Sequence, residues 1–223
     1  MSTKQDYLNA LNLLVAGSSL PLGEPEKVFA IGAAVKKYSS PRPREITEDE
    51  TGNGTQDYAL SLLAEWSEGF SGIKDVEFPV DTPLDDDDWS IIRKPAGRYL
   101  HLAASPEVTE TMRIYYTTLH TCTDDACTIP AYDEEAVQML AAAYFCEMLA
   151  AYYAQTQDST IAADSVDHKS KAAEYQARAR AYRQNYYNHL GVKEGEKTAA
   201  SVTKNQDVNG SFGDRLTHGR RFR

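Results

Sequence analysis

The sequence predicts an α+β fold: an α-helical bundle with an inserted antiparallel β-sheet subdomain and an extended C-terminal arm. Three observations carry that expectation. Apolar residues recur at helical spacing over the first forty residues and again from about 133 to 190; between these stretches the period falls to two; and residues 192–223 show neither period. The expected organisation is therefore residues 1–42 as the N-terminal helices of the bundle, 43–130 as the β insertion, 131–191 as the C-terminal helix pair and 192–223 as the arm.

The first helix has Ser2 or Thr3 available as a cap and puts Leu8, Leu11, Leu14 and Val15 on one face, with Gly17-Ser18-Ser19 to end it. The second begins near Pro25, a residue suited to a first helical turn, and spaces Val28, Ile31, Val35 and Tyr38 along one side. Ser39-Ser40-Pro41-Arg42-Pro43 stops it. The residues 44–48 and 56–60, flanking Thr51-Gly52-Asn53-Gly54, read as a hairpin with an Asn-Gly turn. A strand is expected over 76–80, followed by an acidic loop over 82–88. Residues 89–93 and 98–102 flank Lys94-Pro95-Ala96-Gly97 as a second hairpin, and 112–120 alternates Ile114, Tyr116 and Thr118 against Arg113, Tyr115 and Thr117.

The helix expected over about 133–155 is apolar nearly all round, with Val137, Met139, Leu140, Tyr144, Phe145, Met148, Leu149, Tyr152 and Tyr153 covering every direction, so it belongs at the centre. The last helix, about 167–190, sets Ala172, Tyr175, Ala179, Tyr182, Tyr186 and Leu190 three and four apart. Gly191 stands where a left-handed cap belongs. Arg178, Arg180 and Arg183 fall on its other faces, either as a solvated surface or as partners for carboxylates of an adjacent copy.

Charge is unevenly distributed. Residues 1–192 hold 29 acids and 16 bases, whereas the arm holds seven Lys or Arg against four Asp or Glu. An acidic body repels phosphates and disfavours nonspecific nucleic-acid binding. A polar chain end that cannot bury apolar surface on itself takes order from another surface, so residues 192–223 read as a docking arm and the chain as an assembly protein. No signal peptide is recognised at Met1–Gln5, and the apolar run 136–153 is interrupted by Gln138 and Glu147, which argues against a membrane span. Three cysteines make no disulfide framework, and synthesis in a reducing cytoplasm is expected.

Few residues offer chemistry. His120, Cys122 and Cys127 lie close together, but a structural zinc site needs four ligands and no second Cys or His pair follows. Unremarkable thiols in a strand-end loop, or a disulfide formed late in assembly, are the other readings. Asp49, Thr51, Asn53 and Gly54 imitate the front of a calcium loop, yet the twelfth position, which needs a bidentate acid, is Leu60. The acidic run Asp85, Asp86, Asp87 and Asp88 reads as a solvated loop that a hard cation would otherwise occupy. No phosphate-cradling glycine loop, metalloprotease helix or nucleophile elbow is present, so no catalytic residue, metal or cofactor is assigned and the chain is expected not to be an enzyme.

Taken in order, the Pro41-Arg42-Pro43 break, the Asn53-Gly54 turn, Trp66-Ser67-Glu68-Gly69-Phe70-Ser71, Val76-Glu77-Phe78-Pro79, Trp89-Ser90-Ile91-Ile92, Arg113-Ile114-Tyr115-Tyr116-Thr117 and the Ala/Tyr-rich helix pair ending in residues 175–187 resemble head-to-tail adaptor (connector, head completion) proteins of tailed bacteriophages. The likeness spans roughly residues 24–190. It implies a structural protein of the virion neck, made in the host cytoplasm, that forms a ring of commonly twelve copies under the portal. Such a ring extends the DNA channel, lets genomic DNA pass without sequence-specific binding, and offers the attachment surface for a downstream neck or tail protein. The resemblance further implies a self-associating flank, with Tyr144, Tyr152, Tyr153, Tyr175, Arg178, Tyr182, Arg183 and Tyr186 as candidates. It also implies an arm lying against the portal, with Phe212, Leu216 and Phe222 as anchors and Arg215, Arg220, Arg221 and Arg223 as donors to carboxylates. The alternatives are another neck component, such as a gatekeeper or tail-completion protein, or a small metal-dependent enzyme built around His120, Cys122 and Cys127.

Overall fold

The described residues fold as four α-helices and two three-stranded antiparallel sheets, an α+β architecture. The computed structural model describes residues 2–16, 20–155 and 168–193. Thr3 opens α1 (Lys4–Leu14) through a capping box in which its hydroxyl accepts from the Asp6 N–H at 3.3 Å and the Asp6 carboxylate accepts from the Thr3 N–H at 2.8 Å. Tyr7, Leu8, Leu11 and Val15 are buried, while Leu14 is only partly so. The Gly17-Ser18-Ser19 stop lies outside the described residues. Pro25 sits in the first turn of α2 (Glu24–Ser39), which buries Ala30, Ile31, Ala34, Val35 and Tyr38.

α3 (Glu134–Gln155) buries residues on every side, because it has α4 (His168–Leu190) along one flank and α1 and α2 along another. A helix without a polar stripe is stable in water only when surrounded in this way. α4 ends where Gly191 takes φ +71°, and the Val192 N–H reaches back to the Tyr187 carbonyl at 3.2 Å.

The strands differ from expectation in pairing more than in place. β1 (Arg44–Thr51) and β2 (Asp57–Ala59) do not form a hairpin. β1 runs antiparallel to β6 (Thr111–Thr118), while β2 joins β5 (Gly97–Leu102) in the second sheet. The Asn-Gly segment is a crossing between sheets, held because Gly52 donates to the Glu110 carbonyl at 2.8 Å and Gly54 to the Pro106 carbonyl at 3.0 Å. β3 (Ile73–Glu77) lies three residues earlier than the expected 76–80, since Phe78-Pro79 enters a turn closed by the Thr82 N–H on the Pro79 carbonyl and proline has no ladder donor. β4 (Trp89–Lys94) and β5 form the second expected hairpin. The sheets are ordered β1-β6-β3 and β2-β5-β4.

The apolar interior has two parts. One lies among the helices; the other, built on Tyr58, Leu60, Val76, Leu100, Met112, Ile114 and Tyr116, lies between the sheets. β6 supplies the alternation that seats it, with Met112, Ile114, Tyr116 and Thr118 inward.

Gly52 is the tightest backbone approach of the sheet region, because a Cβ there would stand 2.0 Å from the Glu107 carbonyl oxygen. Gly52→Ala is therefore expected to lower unfolding free energy by about 2–3 kcal/mol in denaturant titration, with the loss falling on the sheet region.

Candidate functional site

A polar joint ties α2, α3 and α4 together, and a groove runs between the last two helices. The joint is built on Asp133, the residue immediately before α3. Its side chain is 3% exposed and accepts from Tyr38 Oη at 2.6 Å, from Arg42 Nη1 at 2.6 and 2.7 Å, and is joined to His189 Nε2 at 2.8 Å. These partners come from the end of α2, the segment after it and the last turn of α4. Burial alone would raise the Asp133 pKa; the bonds from Tyr38, His189 and Arg42 outweigh it and hold the carboxyl below its ordinary value. Burial, then the bond to Asp133, pushes the Tyr38 phenol up.

His120 continues the joint toward the sheets. Its main-chain N–H donates to the Ser39 hydroxyl at 2.9 Å, Nε2 lies 3.1 Å from the Arg42 carbonyl, and Nδ1 lies 3.0 and 3.1 Å from the Thr128 carbonyl and hydroxyl. A neutral ring satisfies both ends if Nε2 donates to Arg42 and Nδ1 accepts from the Thr128 hydroxyl. Burial, the largest influence, holds its pKa below 6.5 against the bonds to Thr128 and Arg42. The reading of this stretch as unremarkable thiols is corrected: Cys122 and Cys127 are joined as a disulfide across an antiparallel bridge, and both His120 nitrogens face protein oxygens. No group of three His, Cys, Asp or Glu disposed to hold a metal occurs among the described residues. The bridged loop instead seats α1: the Lys4 N–H donates to the Thr123 carbonyl at 2.9 Å and the Cys127 N–H to the Ser2 carbonyl at 2.7 Å.

On α3 and α4 the tyrosines and arginines meet one another within the chain. Tyr153 stacks on Tyr175 with ring centres 5.6 Å apart, and Tyr152 meets Tyr153 edge-on. Tyr182 donates to the Leu14 carbonyl at 2.7 Å. Arg178 pairs with Glu174 and lies over Tyr175, while Arg183 pairs with Glu147 and lies over Tyr144. Tyr186 is wholly buried and offers no surface to a neighbour; among the described residues its hydroxyl has no hydrogen-bond partner. Among the eight flank candidates, Tyr152 is the exposed aromatic, at 39%.

Beside these residues runs a groove of about 320 Å³ lined by Glu147, Ala150, Ala151, Ala154, Gln176 and Arg180, closed at its floor by Ala179. Arg180 is exposed there, and neither a hydrogen bond nor an ion pair engages it among the described residues. The sequence places Arg180 on an outer face of the helix, as part of a solvated surface or as a partner for carboxylates of an adjacent copy. The alanines that line the groove were legible only as helix formers.

Charge divides along the same lines. Residues 43–130 hold 18 acids and six bases, whereas 168–190 hold five Lys or Arg and one Glu. Asp85, Asp86, Asp87 and Asp88 form an exposed turn between β3 and β4, closed by the Asp88 N–H on the Asp85 carbonyl at 2.9 Å. The arm residues Phe212, Arg215, Leu216, Arg220, Arg221, Phe222 and Arg223 lie outside the described residues. No helix among the described residues is long and apolar enough to cross a membrane.

No protein-family model and no curated protein matches the chain. It is similar to a chain in a solved structure described as the neck of an empty GTA particle computed with C6 symmetry, at 14% identity over 76% of this chain and 88% of that one. The TM-score is 0.27, a value too low to carry an argument about fold or function.

The joint sets two pH dependences. Because the folded pKa of Asp133 lies below its unfolded value of about 3.9, its contribution is complete above that pH and fades as pH falls through the folded value. The folded pKa of His120 is also depressed, so below about pH 6.5 the unfolded chain takes up a proton that the folded imidazole refuses, and stability falls. Asp133→Asn is expected to cost about 2–3 kcal/mol at neutral pH in urea titration, and His120→Gln to flatten the slope of stability below about pH 6.5 while leaving the acid limb in place.

Proposed function

We propose that this chain is a structural, non-enzymatic protein of a phage neck: a head-to-tail adaptor that forms a ring under the portal, extends the DNA channel and offers the tail its attachment surface. The observation that carries the reading is the separation of charge within one body. The sheet region is strongly acidic, at about −12 from its 18 acids and six bases, and the α4 helix is basic, at about +4. Two unlike faces on one chain favour a heterologous contact, in which α4 of one copy meets the sheet region of the next, and a heterologous contact that closes makes a ring. The Ala-lined groove with Arg180 is the surface such a contact would use, and Tyr152 lies exposed on the same α3–α4 hairpin. Acidic side chains lining a channel would repel DNA rather than hold it.

The sequence resemblance to head-to-tail adaptors over residues 24–190 supports the same reading and supplies its partners: further copies of the chain, a portal protein and a downstream neck or tail protein. In this reading residues 192–223 lie on the portal, where Phe212, Leu216 and Phe222 anchor and Arg215, Arg220, Arg221 and Arg223 pair with carboxylates.

Native mass measurement of the purified chain, together with imaging of assembled necks, tests this. A closed ring is expected that loosens at high salt and is weakened by Arg180→Glu, because the contact is charge-steered. A chain ending at Gly210 is expected to keep the folded body and lose attachment to the portal. Density for this chain elsewhere in the neck would assign it to a gatekeeper or tail-completion role, and a monomer absent from imaged necks would remove the reading.

A further inference from the structure

β1 turns Ile46, Glu48 and Glu50 toward the interior between the sheets, where alternation ordinarily places apolar side chains. Glu48 is satisfied there, accepting from the Ala64 N–H at 3.1 Å and from the Tyr116 hydroxyl at 2.8 Å. Glu50 is not. It is half-buried, burial and the neighbouring Glu48 raise its pKa, and neither a hydrogen bond nor an ion pair engages its carboxylate among the described residues. A carboxylate drawn out of water without a partner is costly, and the cost is relieved by a cation.

Beside Glu50 opens a cavity of about 200 Å³ walled by Tyr58, Leu60, Leu63 and Ile114, with Leu62 on its lip. Leu62 is 77% exposed, and Val108, beside Gly54 at the same end of the sheet region, is 68% exposed. An apolar cavity of about 150 Å³ already accepts benzene, so this one has room for an aromatic ring. The matching ligand is an aromatic or branched apolar side chain carried next to an arginine or lysine, approaching a region of strongly negative charge.

The chain itself contains such a segment. Residues 212–223 carry Phe212, Leu216 and Phe222 with Arg215, Arg220, Arg221 and Arg223 against the single acid Asp214, and Phe222 is bracketed by two arginines. The linker from Lys193 to Phe212 spans up to about 60 Å when extended, more than the roughly 40 Å diameter of a compact body of this size. We propose that the cavity between the sheets binds residues 212–223 of this chain, seating an apolar side chain among Tyr58, Leu60 and Leu63 while an arginine pairs with Glu50. Arginine suits that role because its planar fork matches a carboxylate. This gives the basic segment a place on the chain's own acidic region, in the same or a neighbouring copy; it does not rest on the neck reading, and because the portal contact of that reading draws on the same side chains, the segment occupies one of the two places at a time.

The full chain carrying a photoreactive benzoylphenylalanine at position 222 tests the proposal, with crosslinked peptides mapped by mass spectrometry. Crosslinks are expected to residues 58–63 and Ile114, with yield falling about five- to tenfold in Glu50→Gln and in Leu62→Asp. Leu62 is exposed, so that variant is expected to keep the parent circular dichroism. Asp86→Asn in the exposed acidic turn is expected to leave the yield unchanged, which separates this site from general charge attraction. Mixing isotopically labelled and unlabelled chains assigns the contact to one copy or two. Crosslinks confined to other surfaces, or an undiminished yield in Glu50→Gln, would overturn the proposal and leave the cavity to a segment of another protein.

Discussion

The carboxylate of Asp133 is the constraint on which the rest of the chain depends. It is nearly inaccessible to water, and a charge there is tolerable only because Tyr38, Arg42 and His189 converge on it. Those three residues fix the end of α2, the chain leaving it and the last turn of α4 against the start of α3. The Arg42 carbonyl then meets His120, whose other nitrogen meets Thr128, so the same joint aligns the strand leaving β6 with the helices. A hydrophobic contact would allow sliding among these elements; a buried carboxylate with three directed partners does not.

That joint gives the charge separation its meaning. The acidic sheet region and the basic α4 helix are covalently distant, and only a fixed relation between them makes them two defined faces of one body. The glutamates on the inner side of β1 add a second consequence. Strand alternation sends Glu48 and Glu50 into the interior, and the fold completes one of them with Tyr116 and the Ala64 amide while leaving the other open to a ligand cation.

Much of the fold was legible in the sequence. Periodicity located the four α-helices of the described residues, Gly191 marked the end of α4, and the alternation of residues 112–120 gave β6 nearly to its limits. Pairing was not legible, because Asn53-Gly54 is a turn signal whether the chain reverses within one sheet or crosses to another; the bonds from Gly52 and Gly54 to residues 106–110 decide that, and they are long-range. Asp133 could be read only as the start of a helix, since its partners are 91, 95 and 56 residues away. The helical spacing of the aromatics of α3 and α4 was legible, but not how far they would satisfy one another within the chain. The small-residue groove beside Arg180 had no sequence signal beyond alanine content. Glu50 was visible as one acid among several in REITEDET; the signal that could have singled it out is its place in the alternation, on the same side as Ile46.

Amide hydrogen exchange of the intact chain at neutral pH tests the central claim most directly. If the Asp133 joint binds these elements together, the amides of residues 38–42, 118–130, 133–137 and 187–191 will open with one common free energy, and Asp133→Asn will lower it for all four stretches alike. Independent opening of the last turn of α4, with the other three stretches unaffected by the substitution, would contradict it.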